Sequence, residues 1–556
     1  MDNPSARDFG RDFGRDFGHD FGRELGVPPR PAEWLRAFFE PDARTPGFLG
    51  ARWLLLRALG LWHLSVFYSL AFQIRGLIGE RGILPVPELF AYVTKQHPGV
   101  GRFWLLPSLL WLAPSDRGLA VLVVAGLIAS TLLVLNLAPR AALVVCGLAF
   151  VSFVTAAGDF SSYQSEGMLL EATAAAFVFA PPGLRPGWGE THPPSRASRF
   201  LLLWECFRIY FESGVAKLAS GDPSWRDFSA MDRYYENGPL PARLGWWAQQ
   251  MPHGFHAATA VATLVVELPL IFFLFGPRRV RPWIFALLTA LQIGIITTAN
   301  YCFLNYLVLS LGVLLLDDGH LARLGWRLPP ATPISPPTNR RFWASAVWLG
   351  WLFYGSIAVF AFAGAPQPIS WLASPVAPLE RLRLANRYGL FARMTHVRYE
   401  IEVQGSRDGV DYVAYRFKYK PQAEDEPPKT FAPYQPRLDW NLWFCAIYEE
   451  GVPARSIVRV AVQTCPWVVR LERRLLEGSP DVLALFEGDP FHGAPPRYVR
   501  SVLWQYWMVS RSEMRATGRY WRRAIVGEYT YALGRDDGGN VGLVVPPPPE
   551  DDAPEE

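Results

Sequence analysis

Residues 201–247 read LLLWECFRIYFESGVAKLASGDPSWRDFSAMDRYYENGPLPARLGWW, which begins as an apolar helical pattern interrupted by charges. Glu205, Arg208 and Glu212 stand at positions i, i+3 and i+7, so they share one helix face, and Arg208 and Glu212 are spaced to pair. An ionisable group at bilayer depth is costly unless it is paired or faces a cavity. The charged face is therefore predicted to point into a bundle of membrane helices, with Lys217 near the end of its helix.

An aromatic segment follows this helix. Gly221, Asp222 and Pro223 are predicted to stop the helix, and Asp222 and Trp225 open the part outside the membrane. Tryptophan and tyrosine are enriched both at partner-binding surfaces and at the membrane interface. Two interpretations follow, an aromatic surface that binds a partner or an interfacial belt. The aromatic side chains concerned are Trp225, Tyr234, Tyr235, Trp246 and Trp247.

The composition indicates a polytopic membrane protein. Half of the 556 residues are hydrophobic and occur in blocks, whereas the formal net charge of +4 leaves no electrostatic footprint for nucleic acid. We predict an α-helical membrane bundle of about 8–9 spans, embedded in the lipid bilayer, over residues 46–364. The apolar segments are 53–74, 119–138, 141–157, 168–180, 200–218, 257–275, 283–299, 303–316 and 342–363.

Arginine-rich loops predict the orientation of the bundle. With a cytoplasmic N-terminus, nine crossings place the loops around Arg140, Arg196, Arg278 and Arg323 inside and the rest of the chain after the bundle outside. The expected location is a bacterial inner membrane, or the endoplasmic reticulum membrane in a eukaryote. Residues 1–45 contain Arg-Asp-Phe-Gly repeats and are predicted to be disordered.

The composition changes after the bundle, where alternating patterns replace apolar blocks. Residues 398–404 and 412–419 alternate on either side of a Ser-Arg-Asp-Gly turn, which predicts a β-hairpin. We predict a β-rich soluble α+β domain over residues 365–535, outside the membrane, and a disordered Pro-rich and acidic tail over 536–556. Further elements are predicted as strands at 499–510 and 519–531 and as two short helices within 472–487.

Two cysteines and three polar residues add further expectations. Cys445 and Cys465 can pair in an oxidising compartment, although spacing alone does not fix the pairing. Glu171 is predicted to face the bundle interior, where it either serves function or pairs structurally with Arg208 or Arg57. Asn300 and Asn305 flank a break in an apolar run, so they either line a polar cavity or cap helix ends. No metal or cofactor spacing and no serine-hydrolase elbow is found in the sequence.

Several motifs resemble the lipase maturation factor family of multi-pass membrane proteins. In the membrane part they are FYSLAFQIRGLIGERGILP, GVAKL followed by SGDPSWR, and NYCFLNYLVLSLGVLLLDD. In the C-terminal part they are RYGLFARMTHVRYEIEVQGSRDG, APYQPRLDWNLWF and LLEGSPDVLALFEGDPF. The resemblance covers roughly residues 53–531. It implies a protein that assists the folding or assembly of secreted lipases, or of other clients, on the lumenal or periplasmic side.

The segment YFESGVAKL also resembles a short part of the vitamin K-dependent carboxylase and its membrane-domain relatives. That resemblance implies an alternative, an intramembrane enzyme in which Lys217 acts as base with Glu212 or Glu171. The opposing interpretation is a structural ion-pair network, or a Lys217 side chain that extends to the lipid headgroups. The candidate functional residues are Glu171, Arg208, Glu212, Lys217, Asp222, Trp225, Asn300 and Asn305.

Overall fold

A computed structural model describes residues 31–42, 47–161, 163–332, 338–362, 370–447, 463–536 and 538–544. It contains a bundle of helices followed by an antiparallel sheet with flanking helices, so the predicted order of these two parts is confirmed. The ends predicted to be disordered, residues 1–45 and 536–556, lie mostly outside the described residues. Their described parts include a helix at Pro31–Phe39 and a strand at Val541–Leu543.

The secondary structure follows the predicted pattern of apolar helices and then strands. The helices of the bundle are α1 Pro31–Phe39, α2 Leu49–Ile78, α3 Val86–Gln96, α4 Gly101–Leu105, α5 Asp116–Val134, α6 Pro139–Ala156, α7 Gln164–Phe179, α8 Arg196–Ala219, α9 Tyr234–Asn237, α10 Arg243–Gln249, α11 His253–Glu267, α12 Arg281–Thr298, α13 Leu304–Gly312, α14 Asp318–Arg323 and α15 Asn339–Ala361. The later elements are α16 Ser370–Ala373, α17 Ala377–Arg381, β1 Arg398–Ser406, β2 Tyr412–Ala414, α18 Arg437–Cys445, α19 Trp467–Leu476, α20 Pro480–Leu483, β3 Tyr498–Met508, α21 Arg511–Thr517, β4 Trp521–Arg535 and β5 Val541–Leu543.

Five helices in the described part of the chain are long and apolar enough to cross a membrane, namely α2, α5, α6, α12 and α15. The predicted count of about eight or nine spans is not reached by this criterion of length and composition. The other apolar segments form shorter or more charged helices. α7 and α11 have 16 and 15 residues, whereas α8 has 24 residues but carries several charges.

Helix α2 connects the bundle to the C-terminal region. Its 30 residues give a length of roughly 45 Å, which exceeds the hydrocarbon thickness of about 30 Å. It packs closely on α5, because a Cβ added at Gly126 would meet the ring of Phe67 at 2.4 Å. Near its end, a Cβ at Gly76 would meet the carbonyl oxygen of Asp481 at 2.4 Å. These close approaches require glycine, so the last turns of α2 form part of the domain contact.

The two ends of the bundle differ in character. One end, here called the basic face, gathers the arginine-rich loops. There Arg278 pairs with Asp317 at 2.5 Å, and Arg52 donates hydrogen bonds to backbone carbonyls within residues 188–192. The other end, here called the domain face, contacts the C-terminal region, with Arg75 of α2 3.7 Å from Asp481. The C-terminal region therefore packs on the end of the bundle opposite to the arginine-rich loops.

The C-terminal sheet has the strand order β2-β1-β3-β4-β5, and every neighbouring pair is antiparallel. β3 lies at its centre and pairs with the whole of β1. The predicted hairpin is present, but β2 is shorter than the predicted strand 412–419. Beyond β2 the chain changes partner: Tyr415 still donates its amide to the Val403 carbonyl of β1, but Phe417 forms a β-bridge with Phe486 and donates its amide to the Gln422 side chain at 2.5 Å.

Helices flank the sheet where the sequence predicts them. Two short helices are present as predicted, but α19 begins at Trp467, ahead of the predicted range 472–487, and α20 lies inside it. α19 packs on β3 and β4. Cys445 and Cys465 form a disulfide that ties the end of α18 to the segment before α19. The sequence left that pairing open, and the structure resolves it.

A carboxyl group is buried between α19 and the sheet. Glu472 has no exposed surface, and its Oε1 accepts hydrogen bonds from Ser501 Oγ at 2.5 Å and from the hydroxyl of Thr530. Burial raises the pKa of Glu472 to about 8, although these two hydroxyl hydrogen bonds oppose the shift. Glu472 is therefore expected to be protonated in the folded protein at neutral pH.

We predict that Glu472 makes the folded protein less stable as the pH rises from acidic to alkaline. Because its folded-state pKa is raised, its contribution is complete below the usual value of 4.5 and is lost as the pH passes about 8. The expected change is roughly 5 kcal/mol. Thermal unfolding of the purified chain in nanodiscs measures it, and Glu472→Gln should flatten the pH profile. Identical profiles for the two proteins would contradict the assignment.

Candidate functional site

Residues 383–397, here called the junction segment, connect α17 to β1 across the domain face. They read RLANRYGLFARMTHV. The segment lies against the domain-face ends of α7 and α8, and six of the eight predicted site residues contact it. The predicted site in the bundle therefore holds a later part of the same chain.

Glu171 and Arg208 form the centre of this arrangement. Arg208 Nη2 on α8 donates to both carboxylate oxygens of Glu171 on α7, at 2.8 and 3.0 Å, and both side chains are buried. The junction segment completes the pair. Tyr388 Oη donates to Glu171 at 2.8 Å, Asn386 Nδ2 donates to it at 3.2 Å, and the guanidinium lies 5.1 Å from the Tyr388 ring centre. Of the two partners predicted for Glu171, Arg208 is the one observed.

Glu212 is the predicted pairing partner of Arg208 on the same helix. The closest approach between the two is 3.7 Å, which is an ion-pair distance but too long for a hydrogen bond. The stronger contact of Glu212 is with the junction segment, because its Oε2 accepts from the Tyr388 amide at 2.8 Å. Glu205, on the same face of α8, is also buried. The charged face thus points into the bundle, and its last carboxylate binds the backbone of the junction segment.

Lys217 is buried and fully bonded. Its Nζ donates to both carboxylate oxygens of Glu267 on α11, at 2.9 and 2.8 Å, and to the Leu390 carbonyl of the junction segment at 2.9 Å. The ammonium also lies 5.2 Å from the ring centre of Trp225. These contacts use the three donors of the ammonium group. The geometry favours a structural pair over a base or a side chain that extends to headgroups.

Asp222 and Trp225 bind the next part of the junction segment. Asp222 Oδ2 accepts from the Met394 amide at 2.7 Å, and Oδ1 accepts from Ser224. Partial burial opposes it, but these hydrogen bonds lower the pKa of Asp222 and keep it ionised. The indole of Trp225 donates to the Phe391 carbonyl at 3.0 Å. Both residues therefore hold the junction segment after it leaves the helix ends.

The predicted aromatic partner surface is wrong for most of its members. Trp225, Tyr234, Tyr235 and Trp246 are buried, and only Trp247 is substantially exposed, at 41%. The aromatic side chains pack inward because the junction segment and the C-terminal sheet cover them. The indole of Trp246, for example, packs edge to face on Tyr520 at 5.5 Å.

Asn300 and Asn305 satisfy polar groups inside the protein. Asn300 donates to the Lys429 carbonyl at 2.8 Å and accepts from the Phe431 and Ala432 amides at 3.0 and 3.2 Å. Asn305 donates to Gln292 at 2.8 Å. Asn300 thus fixes a segment of the C-terminal region, and Asn305 links α13 to α12. Of the two predicted roles, bonding to backbone groups describes Asn300 better than lining a cavity.

Arg437 forms a second buried contact between the C-terminal region and the bundle, and the sequence suggested no partner for it. Arg437 at the start of α18 donates to Glu166 at 2.5 Å, to the Phe160 carbonyl at 2.7 Å and to Ser161 at 2.9 Å. Its amide donates to Gln73 of α2 at 2.7 Å. The Glu166 and Arg437 side chains have no exposed surface. This anchor holds α18 on the domain face independently of the junction segment.

Sequence reasoning missed Glu267, Asn386, Tyr388 and Arg437 as members of the site. A weak signal existed, because Tyr388 and Arg437 lie in RYGLFARM and YQPRLDW, two of the motifs that carry the family resemblance. Their partners lie far away in sequence, since Tyr388 follows Glu171 by 217 positions. In the described residues no group of three or more His, Cys, Asp or Glu side chains is arranged to hold a metal ion.

These contacts define a polytopic membrane protein whose C-terminal sheet region is held on one end of its helical bundle by buried ionic and backbone contacts. The lipase maturation factor transmembrane domain matches residues 50–323, and the lipase maturation factor C-terminal domain matches residues 384–531. The chain belongs to the lipase maturation factor family.

Relatives match most of the chain. Lipase maturation factor 2 from Homo sapiens is 30% identical over 86% of this chain and 82% of its own length. Lipase maturation factor 2 from Gallus gallus is 29% identical over 86% of this chain and 80% of its own length. Lipase maturation factor 1 from Bos taurus is 29% identical over 89% of this chain and 91% of its own length. No solved structure matches the chain.

We predict that Lys217→Met destabilises the protein by about 3–5 kcal/mol, because it leaves Glu267 buried without its cation. The double variant Lys217→Met/Glu267→Leu should recover most of that loss, since replacing a whole buried pair with apolar side chains is close to neutral. Thermal unfolding in nanodiscs measures both. Unchanged stability in Lys217→Met, together with complete loss of function, would instead favour a catalytic Lys217.

Proposed function

We propose that this protein is a membrane-embedded maturation factor that assists the folding or assembly of secreted lipases, or of another secreted client. Its family membership across both the membrane part and the C-terminal part is the observation that carries this proposal. The relatives are named lipase maturation factors, which points to lipases as the client class. The architecture fits such a role, because a folding factor needs a surface held in a fixed position beside the membrane where clients emerge.

We further propose nine crossings, since successive apolar helices run between opposite faces. The amide of Leu49, at the start of α2, bonds Asp318 on the basic face, and the end of α2 lies beside Asp481 on the domain face. α7 runs back to the basic face, where the carbonyl oxygen of Ala180, just after the helix ends, accepts a hydrogen bond from Arg140 at 2.8 Å. The short helices α7, α11 and α13 lie between longer ones, so the bundle itself can shield their ends.

The same alternation continues through α8 and α12. α8 starts on the basic face, where Arg196 pairs with Asp42 at 3.2 Å, and ends beside the junction segment. α12 ends on the domain face, where Ala299 forms a β-bridge to Pro241. With the arginine-rich face inside, the C-terminal domain lies outside, in a bacterial periplasm or the lumen of the endoplasmic reticulum. The Cys445–Cys465 disulfide supports an oxidising compartment.

Deletion of the gene should lower the specific activity of a secreted lipase while leaving its transcript level unchanged, because misfolded enzyme would accumulate or be degraded. The measurement is lipase activity per amount of secreted antigen, with complementation by the wild-type gene as control. Equal specific activity and equal secretion with and without the gene would contradict the proposed function.

Two exposed positions test the orientation. Val410, 80% exposed, lies in the hairpin turn of the C-terminal domain, and Leu324, 73% exposed, lies on the basic face. A membrane-impermeant thiol reagent should label Val410→Cys in intact spheroplasts but label Leu324→Cys only after permeabilisation. Cys146, Cys206 and Cys302 are buried, so the native protein supplies a low background. The opposite labelling pattern would reverse the proposed topology.

A further inference from the structure

Three arginines lie around one loop of the basic face. The loop, residues 181–195, joins α7 to α8. Arg52 of α2 donates to the His192 carbonyl of the loop at 2.6 Å. Arg140, in the first turn of α6, donates through Nε to the carbonyl of Ala180, just before the loop, at 2.8 Å. Two of the three arginines are thus bound near the two ends of this loop.

Arg341, in the first turn of α15, is the third arginine of this group. α15 packs along α7, where Trp348 Nε1 donates to the Ala174 carbonyl at 3.1 Å. Partial burial lowers the pKa of His192, and the positive charges of all three arginines lower it further. Arg341 therefore lies close enough to the loop to act on the same side chain as the other two.

Only one of the three arginines is compensated inside the protein. Arg52 is buried, and the carboxylates of Asp318 and Glu190 lie close enough to act on its charge. Arg140 makes its single hydrogen bond through Nε, so its two terminal nitrogens reach the protein surface without a protein acceptor. Arg341 is exposed and makes no hydrogen bond or ion pair with any residue that the structure describes.

The surface next to Arg140 is apolar and faces the lipid. Val144 and Leu148 follow Arg140 by about one and two turns on α6, and they are 43% and 49% exposed. Phe177 on α7 is 38% exposed, and its ring centre lies 5.9 Å from the Arg140 guanidinium. An accessible positive charge therefore borders an exposed apolar surface that two membrane helices share.

The chain that leads into α15 adds no negative charge to this place. Residues 333–337 read Pro-Ile-Ser-Pro-Pro and contain no ionisable side chain. The charges of Arg140 and Arg341 repel each other beside an apolar surface, where solvent screens them less than bulk water does. A bound anion would remove this repulsion and would join the start of α6 to the start of α15.

An anionic phospholipid supplies both the charge and the apolar part that this surface fits. Its phosphate oxygens match the paired donors of a guanidinium, and basic pockets between membrane helices on the cytoplasmic side are typical sites for such headgroups. A free phosphate would leave the apolar surface uncovered, and phosphatidylcholine carries its own compensating cation. We propose that Arg140 and Arg341 bind the phosphate of an anionic phospholipid whose acyl chains pack against the exposed apolar side chains of α6 and α7.

Native mass spectrometry of the full chain, released from detergent micelles, counts bound lipids and gives a dissociation constant for each lipid. Dioleoyl phosphatidylglycerol should bind about tenfold more tightly than dioleoyl phosphatidylcholine, because charge-assisted hydrogen bonds exceed neutral ones by this order. Arg341→Gln should remove most of this difference. Arg140→Gln should act in the same way, since both arginines hold one phosphate.

Folding and general charge are controlled separately. Arg341→Gln breaks no hydrogen bond or ion pair within the described part of the chain, so its melting temperature without added lipid should equal that of the wild type. The matched control is Arg323→Gln, which removes an exposed arginine of the same face at the end of α14. This control should keep the preference for phosphatidylglycerol.

Three results would overturn the proposal. The first is an equal dissociation constant for the two lipids. The second is an equal loss of affinity in Arg341→Gln and Arg323→Gln, since the basic face would then attract anionic lipid without a defined site. The third concerns glycerol 1-phosphate, which has the phosphate ester but no acyl chains and should compete only weakly. Competition as strong as that of the lipid would replace the lipid site by a site for a free phosphate ester.

Discussion

The buried ion pair between Arg208 and Glu171 needs more hydrogen-bond partners than the two side chains offer each other. Neither charge is stable in a dry helical bundle alone, and a carboxylate with two oxygens and a guanidinium with five donors need more partners than each other. Tyr388 and Asn386 of the junction segment supply them. Docking of the C-terminal part of the chain therefore supplies Glu171 with partners that the other helices of the bundle do not offer.

Three contacts hold the C-terminal region at different points of the domain face. Arg437 binds Glu166 on the first turn of α7, Asn300 binds the segment before α18, and Lys217 binds the junction segment near the end of α8. Contacts at several places on one end restrain rotation as well as separation of the two parts. The C-terminal domain is thereby held against the membrane bundle at several points.

The sequence predicted the features that depend on residues close together in the chain. The charges of α8 face inward because helical periodicity places Arg208 and Glu212 on one face, and the hairpin of β1 and β2 follows from alternation around a turn. The partner of Lys217 was missed because Glu267 lies 50 residues away on another helix. The aromatic segment was misjudged because Trp225 is buried by the junction segment and Trp246 packs on Tyr520, and both contacts join residues far apart in sequence.

The buried charges at the contact between the bundle and the junction segment restrict the register of that segment, which an apolar contact would not do. Replacing a buried ion pair by apolar side chains is often neutral or even stabilising, so net stability does not explain the network. An apolar segment can also slide along an apolar helix end with little change in energy. Glu212 accepts a hydrogen bond from the Tyr388 amide and Lys217 donates one to the Leu390 carbonyl, so these contacts favour a single register of the junction segment. The buried charges therefore account for one docking position of the junction segment rather than for net stability.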